Sequence, residues 1–196
     1  ALASLQTLIA DYPESAHLSQ AYFLQGLANN KLDRYNEAAA SWQTYLVMKP
    51  GTLDAYTQEL RGDALFTAGN FADALIAYSA ATQAPRLDDG IQADMKIAET
   101  QAKLGDSETA IAIYSDISIR ATDDYTRAQV AYQTGSLYQA RGQNEEAFGQ
   151  YRLAVENYPL SYYSYLSLIQ LVDAGAEVSD LDRGLVDYFA GKYDVA

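Results

Sequence analysis

The sequence predicts an all-α fold, an αα-superhelix of about five helical hairpins with one inserted helix. Three observations lead to this prediction. A pattern of small and aromatic residues repeats at a nearly constant spacing, apolar residues recur at helical intervals, and glycine and proline stand where helices should end. We therefore expect helices throughout the chain and no strand longer than an isolated bridge.

One pattern of six residues recurs along the chain with gaps of 7, 2, 3, 4 and 3 positions. Its template is Gly62, Gly69, Phe71, Ala74, Tyr78 and Ala81. Copies with the same spacing begin at Gly26, Ala98 and Gly135, and a shortened copy consists of Gly184, Gly191, Tyr193 and Ala196. The first three intervals are 36, 36 and 37 residues, whereas the interval from Gly135 to Gly184 is 49 residues.

Each position of the pattern has a physical role in a helical hairpin. The first small residue lies inside one helix, where the lack of a bulky side chain lets a second helix approach closely. The second glycine, as at Gly69, ends the first helix in the left-handed conformation. The alanine and aromatic residues then share one stripe of the second helix. Proline stops that helix at Pro50, Pro85 and Pro159.

The repeat divides a single predicted domain, residues 1–196, into successive repeat units. The units are 1–14 (a second helix only), 15–50, 51–87, 88–122, 123–159, 160–175 (the inserted helix) and 176–196 (a partial unit). The inserted helix is predicted because the last interval is about one helix too long, and it should bend the superhelix or shift its phase. Ala1 aligns with Ala38 and Ala196 with Ala147, so we expect a fragment of a longer chain whose uncapped apolar ends favour self-association.

Composition excludes several classes of function. The formal net charge is −13, with 26 acidic and 13 basic residues, so a nucleic-acid partner is not expected. The chain has no cysteine, which removes disulfides, thiol nucleophiles and thiolate metal sites. No apolar run has the length of a membrane-spanning helix.

No group of side chains predicts catalysis, and no cofactor or metal is expected. The single histidine, His17, stands at the start of a predicted helix, without a second histidine or a cysteine to complete a metal site. Paired carboxylates also fall at predicted helix starts, where they complement the helix dipole. These carboxylates are Asp88, Asp89, Asp123, Asp124, Asp180 and Asp182.

The recurring pattern resembles the tetratricopeptide repeat family, whose units place small residues, a turn glycine, a tyrosine, an alanine, an aromatic residue and a proline in this order. It departs from the family in its longer period and in the weak leading position of the first helix, occupied here by Tyr22, Gln58 and Ala131. The resemblance implies a non-catalytic scaffold or spacer that binds a protein or peptide partner.

The resemblance also implies a binding groove, because in this family the first helix of each hairpin lines the concave surface. The predicted lining residues are Gln20, Phe23, Leu27, Asn30, Lys31, Tyr56, Glu59, Asp63, Phe66, Gln92, Met95, Glu99, Lys103, Gln129, Tyr132, Ser136 and Gln139. This mixture suits an extended peptide or a helix. Chaperone-binding members hold a carboxylate with lysine and asparagine at positions that carry other residues here, so that class is not expected. The alternative is a groove that is solvated or filled by another part of the parent chain.

Trp42 is predicted to be a core residue, since it lies on one stripe with Tyr35, Ala38 and Tyr45. In contrast, Tyr56, Phe66 and Tyr132 are assigned to the groove. Truncation of these three side chains is therefore expected to cost little stability.

A second resemblance is carried by the segment from Tyr158 to Tyr165 and the helix that follows it. This segment looks like the superhelical region that precedes the catalytic domain of bacterial lytic transglycosylases. The resemblance implies the superhelical part of an extracytoplasmic murein-cleaving enzyme whose catalytic domain is absent from this sequence, and it favours a location in the cell envelope. The other interpretation is an adaptor that assembles partner proteins.

The lack of clustered metal donors predicts that millimolar calcium, magnesium or zinc leaves the melting temperature unchanged. A metal site that exists only in the native state would raise stability by about 2.7 kcal/mol at a hundredfold excess over its dissociation constant. Thermal melts with and without each metal test this expectation. A rise of several degrees would contradict it.

Overall fold

In the computed structural model of the chain, which describes residues 2–194, the regular secondary structure is entirely helical. The helices are α1 (Leu2–Asp11), α2 (Leu18–Asn30), α3 (Tyr35–Met48), α4 (Asp54–Thr67), α5 (Phe71–Gln83), α6 (Ile91–Lys103), α7 (Ser107–Arg120), α8 (Asp124–Ala140), α9 (Asn144–Asn157), α10 (Tyr162–Asp173) and α11 (Asp180–Phe189). The predicted all-α class is confirmed. None of these helices is long and apolar enough to cross a membrane.

The chain divides into two compact units, residues 1–105 and residues 106–196. The N-terminal unit contains α1 to α6. In it, α2 packs with α3 and α4 packs with α5, so that each pair forms a hairpin, while α1 lies against α2 and α6 lies against α5. The core of this unit is made of alanines around two large rings, Trp42 (0% exposed) and Tyr78 (2% exposed). The prediction that Trp42 is a core residue is therefore confirmed.

Hairpin closure depends on mid-helix glycines in both units. A Cβ atom added to Gly62 would collide with the ring of Tyr78, and one added to Gly26 would collide with the ring of Trp42. Any side chain at either glycine would push the two helices of the hairpin apart, because protein interiors are close-packed. The small residue that the repeat requires is thus explained by the aromatic residue 16 positions later.

The turns between paired helices use the left-handed conformation. Gly69 has a φ of +80° between α4 and α5, and Gly142 has a φ of +74° between α8 and α9. After Gly69, the backbone N–H of Asn70 donates to the carbonyl of Leu65 at 2.8 Å, so the last turn of α4 keeps its hydrogen bonds. In the first hairpin Asp33 takes this place with a φ of 57°; aspartate tolerates the conformation better than most residues.

Carboxylates cap several helices. Asp123 accepts a hydrogen bond from the backbone N–H of Thr126 at 2.8 Å, and this bond lowers the pKa of Asp123. Asp89 accepts from the backbone N–H of Ile91 at 3.0 Å at the start of α6. The paired carboxylates at residues 88–89 and 123–124 therefore lie at helix starts, as the sequence predicts.

In the C-terminal unit, α8 and α9 form a hairpin and α7 lies against α8. Helix α10 packs against both α8 and α9, and α11 packs against α9 and α10. Leu168 and Leu171 of α10 are buried with Tyr151 and Val155 of α9. Helix α10 thus continues the stack of this unit, and the bend or phase shift expected from an inserted helix stays a prediction. Gly191 of the shortened repeat copy lies in the turn after α11 with a φ of +75°. Ala196 of that copy lies outside the described residues.

Ser164, in the segment from Tyr158 to Tyr165, joins α9 to α10. Ser164 is fully buried, and its hydroxyl lies 2.9 Å from the carbonyl oxygen of Ala154 and 2.7 Å from that of Tyr158. Both carbonyls lie at the C-terminal end of α9 and also accept a backbone N–H, from Tyr158 and Ser161 respectively. The Ser164 hydroxyl therefore adds a side-chain donor from α10 to acceptors at the end of α9. The segment from Tyr158 to Tyr165 therefore has a structural role in this chain.

Two glycines of the α8–α9 hairpin should respond in opposite ways to alanine. A Cβ atom on Gly135 would lie 2.5 Å from Cε1 of Tyr151, whereas a Cβ atom on Gly149 would meet nothing within 4 Å. We expect Gly135→Ala to lower the free energy of unfolding by about 1–3 kcal/mol through overpacking. The matched control, Gly149→Ala, should raise it by about 0.5–1 kcal/mol, because alanine favours helix more than glycine does.

Urea melts of the two variants measure both changes. Equal effects, or a stabilised Gly135→Ala protein, would show that the approach of the two helices does not depend on the missing Cβ.

Candidate functional site

The predicted groove residues all lie on the first helices of the hairpins or at their ends. In the N-terminal unit they lie on α2, α4 and α6, and in the C-terminal unit they lie on α8. We call the outer surface of these helices, taken separately in each unit, the first-helix face. Met95 differs from the others because it is buried, with 7% of its surface exposed, and it offers almost nothing to a ligand.

An ion-pair network fixes the two acidic side chains of the first-helix face on α4. Lys96 Nζ lies 2.8 Å from Asp63 Oδ1 and 3.8 Å from Glu59 Oε2. Arg86 Nη2 lies 2.9 Å from Glu59 Oε1, and Arg86 Nε lies 2.6 Å from Asp88 Oδ1. The hydrogen bond to Asp88 raises the pKa of Arg86 and lowers that of Asp88. The carboxylates of Glu59 and Asp63 are therefore already paired with cationic side chains of the same unit.

Sequence reasoning missed Arg86 and Lys96. Arg86 lies in the loop between α5 and α6, outside every repeat position, and only the fold brings it to Glu59, 27 residues earlier. Lys96 lies on α6 next to the predicted residue Met95. Glu59 and Asp63 lie on α4, the first helix of the preceding repeat unit. This pairing of a lysine with acidic residues on successive first helices was the signal that could have indicated an ion pair.

Aromatic residues of the second helices reach past the glycines to the first-helix face. The Tyr78 hydroxyl passes Gly62 and donates to Asp63 Oδ1 at 2.8 Å, while Lys96 Nζ lies 5.5 Å from the centre of the Tyr78 ring. Burial, reinforced by the hydrogen bond to Asp63, strongly raises the pKa of Tyr78. The hydroxyl therefore stays protonated and donates to the carboxylate at ordinary pH.

The C-terminal unit repeats this arrangement with neutral partners. The Tyr151 hydroxyl lies 2.9 Å from Gln139 Oε1 and 3.4 Å from Ser136 Oγ, and burial raises the pKa of Tyr151. In the first hairpin the indole Nε1 of Trp42 is buried and has no hydrogen-bond partner among the described residues. The tips of these rings thus help to position the side chains of the first-helix face wherever that face supplies an acceptor.

Two of the aromatic residues assigned to the groove are half-buried and pack into the cores. The ring centre of Tyr132 lies 6.0 Å from that of Tyr151 and 5.8 Å from that of Tyr163. The ring of Phe66 meets that of Phe71 edge-on at 5.1 Å. Tyr56, in contrast, is 55% exposed. Of the three residues, only Tyr56 therefore fits the expectation that truncation costs little stability. Truncation of Phe66 or Tyr132 would remove packing contacts.

Helix α10 extends the first-helix face of the C-terminal unit. Gly175, with a φ of +67°, follows α10 as Gly142 follows α8, and the two glycines are 33 residues apart. The same shift places Tyr162 and Tyr165 at the positions of Gln129 and Tyr132. Sequence reasoning missed both tyrosines because it treated this helix as inserted and took its register from Gly184; the turn glycine Gly175 was the available signal.

The tetratricopeptide repeat family model matches residues 92–118 and 121–161. The chain contains tetratricopeptide repeats. The second match includes the α8–α9 hairpin with its glycine–tyrosine pair, Gly135 and Tyr151. No curated protein sequence matches the chain.

Several solved tetratricopeptide-repeat structures share the fold. MamA is 16% identical with a TM-score of 0.61, and the match covers 89% of this chain and 88% of that one. YrrB, described as a TPR protein with an unusual peptide-binding site, is 13% identical with a TM-score of 0.57, covering 100% and 96%. TTC0263, a thermophilic TPR protein of Thermus thermophilus, is 18% identical with a TM-score of 0.55, covering 88% of each chain. At these identities the likeness shows the fold alone, and the resemblance to lytic transglycosylases stays a prediction.

Truncations should separate the packed and the exposed rings of the first-helix face. We expect Tyr132→Ala to lower the free energy of unfolding by about 2–3 kcal/mol, because its ring is half-buried against two other tyrosines. Tyr56→Ala should cost less than about 1 kcal/mol, as surface changes do. Trp42→Ala, at a fully buried position, supplies the upper reference of about 3–5 kcal/mol.

Denaturant melts of the three variants rank their losses in the free energy of unfolding. If Tyr132→Ala proves as mild as Tyr56→Ala, then the packing of Tyr132 contributes nothing to stability and its assignment to an open groove would be restored.

Proposed function

We propose that this chain is an interaction scaffold whose first-helix faces bind an extended peptide or a helical segment of a partner protein. The tetratricopeptide repeats support a protein-binding scaffold in general terms. The observation that carries the finer proposal is Tyr56, a large ring that is 55% exposed on α4, one helical turn from Glu59. Exposed tyrosines among hydrogen-bonding groups are typical of protein interfaces.

The neighbourhood of Tyr56 supports recognition at low entropic cost. Glu59 is held by Arg86, and Asp63 is held by Lys96 and Tyr78. Side chains that are already fixed lose little conformational freedom when a partner binds, so more of the contact energy appears as affinity. The carboxylate oxygens can also accept hydrogen bonds from the backbone of a bound peptide without a large rearrangement.

The charge arrangement favours a partner that is not strongly basic. The carboxylates of Glu59 and Asp63 are paired with Lys96 and Arg86 within the unit, so a lysine or arginine of the partner would have to break existing ion pairs. We therefore expect aromatic and amide contacts to dominate affinity and salt to affect it modestly.

The proposal is tested by selecting peptides of about fifteen residues from a displayed library against the whole chain. Selected peptides should lose at least about tenfold in affinity for the Tyr56→Ala variant, as truncations at interface hot spots do. The matched control is Ile76→Ala on α5, which removes a side chain that is 62% exposed on the second helix of the same hairpin. This control should bind as the unmodified chain does.

Two outcomes would contradict the proposal. Selection could yield no peptide that binds the folded chain, or the selected peptides could respond to Ile76→Ala and ignore Tyr56→Ala. The second result would place the interface on the second helices.

A further inference from the structure

A cleft in the C-terminal unit lies between the start of α10 and the end of α11, and the repeat pattern does not account for it. Its volume is about 430 Å³, within the range of small-ligand sites. Three aromatic rings form its walls, those of Tyr162, Tyr165 and Phe189, and Lys192 lies at its edge. Tyr162 and Phe189 are 61% and 50% exposed, so both rings are available to a ligand.

Among the described residues, Lys192 is the only charged one that lines this cleft. Its Nζ lies 5.9 Å from the centre of the Tyr165 ring, at cation–π distance. Its backbone N–H donates to the carbonyl of Asp187 at 2.8 Å in the turn after α11, which fixes the point from which the side chain extends. Within residues 2–194, no carboxylate forms an ion pair with Lys192.

The start of α10 adds to the positive character of the cleft. Ser161, which also lines it, caps this helix by accepting from the backbone N–H of Tyr163 at 3.2 Å, and the first turn contains no acidic residue. The positive end of the helix dipole is therefore not offset by a side chain of its own first turn. The surroundings are of the opposite sign, since residues 106–196 contain fourteen acidic and six basic side chains.

These features select a ligand with an apolar group and a single negative charge beside it. Three rings without an acidic neighbour favour an apolar side chain, and one ammonium group at the edge favours one carboxylate. The acidic surroundings disfavour ligands with many negative charges, because their repulsion would exceed the attraction of one lysine. Among peptides, this chemistry is that of a C-terminal residue with an apolar side chain.

We propose that this cleft binds the C-terminal residue of a partner peptide. The apolar side chain lies among Tyr162, Tyr165 and Phe189, and the terminal carboxylate pairs with Lys192. This inference rests on the proposed function, since it supposes that the partner is a peptide. It names the chemistry of one end of that peptide and the unit that receives it.

The test uses the whole chain and two short probes, acetyl-Gly-Ser-Ala-Leu with a free carboxylate and the same peptide amidated at its C-terminus. Titrations followed by amide chemical shifts should move the signals of Tyr162, Tyr165 and Lys192. Amidation should weaken binding about three- to fivefold, the size expected for a partly exposed ion pair.

Two pairs of variants separate the charge from the rings. Lys192→Gln should remove the difference between the two probes, while Lys49→Gln, an exposed lysine of the N-terminal unit, should leave that difference intact. Tyr162→Ala should weaken both probes. Tyr12→Ala is its control, because Tyr12 has a similar exposure of 63% and lies in the N-terminal unit, which contributes no residue to the cleft.

The inference is overturned if the free-carboxylate probe shows no shifts at millimolar concentration or if amidation changes nothing. It is also overturned if acetyl-Gly-Leu-Glu-Gly-amide, with an internal carboxylate, binds as tightly as the free C-terminus. The proposed function is judged separately, since peptides selected from the library either depend on Tyr56 or do not, whatever happens at Lys192.

Discussion

In three hairpins of the described residues an aromatic ring of the second helix lies directly against a glycine of the first. This contact brings the two helices of each hairpin together, and the alanine-rich cores form around it. A residue with a Cβ atom at Gly62 or Gly135 would require the tyrosine opposite to move, and in a close-packed interior that movement would disturb the neighbouring helices as well.

The same contact organises the candidate binding surface. Because the rings of Tyr78 and Tyr151 pass the glycines, their hydroxyls reach the first-helix face and bind Asp63 and Gln139. Side chains that a ligand would meet are thus connected to the core of each hairpin. Trp42 offers an N–H group at the equivalent place, without an acceptor within the described residues.

The two units present different chemistry on corresponding faces. In the N-terminal unit, Glu59 and Asp63 are paired with cations and Tyr56 is the exposed ring. In the C-terminal unit, aromatic and amide groups predominate, and the face extends onto α10 through Tyr162.

The sequence by itself determined the helical class, the hairpins and the buried position of Trp42, because glycine turns and helical periodicity act over short distances along the chain. It also predicted capping carboxylates such as Asp123, for the same reason. Only the tertiary structure decided which side chains of the first helices stay exposed and how the charges pair. The ion pair between Arg86 and Glu59 joins a loop to a helix, and the burial of Tyr132 depends on a ring of α10. Contacts between separate helices leave no periodic signal, since they depend on how the elements pack in space.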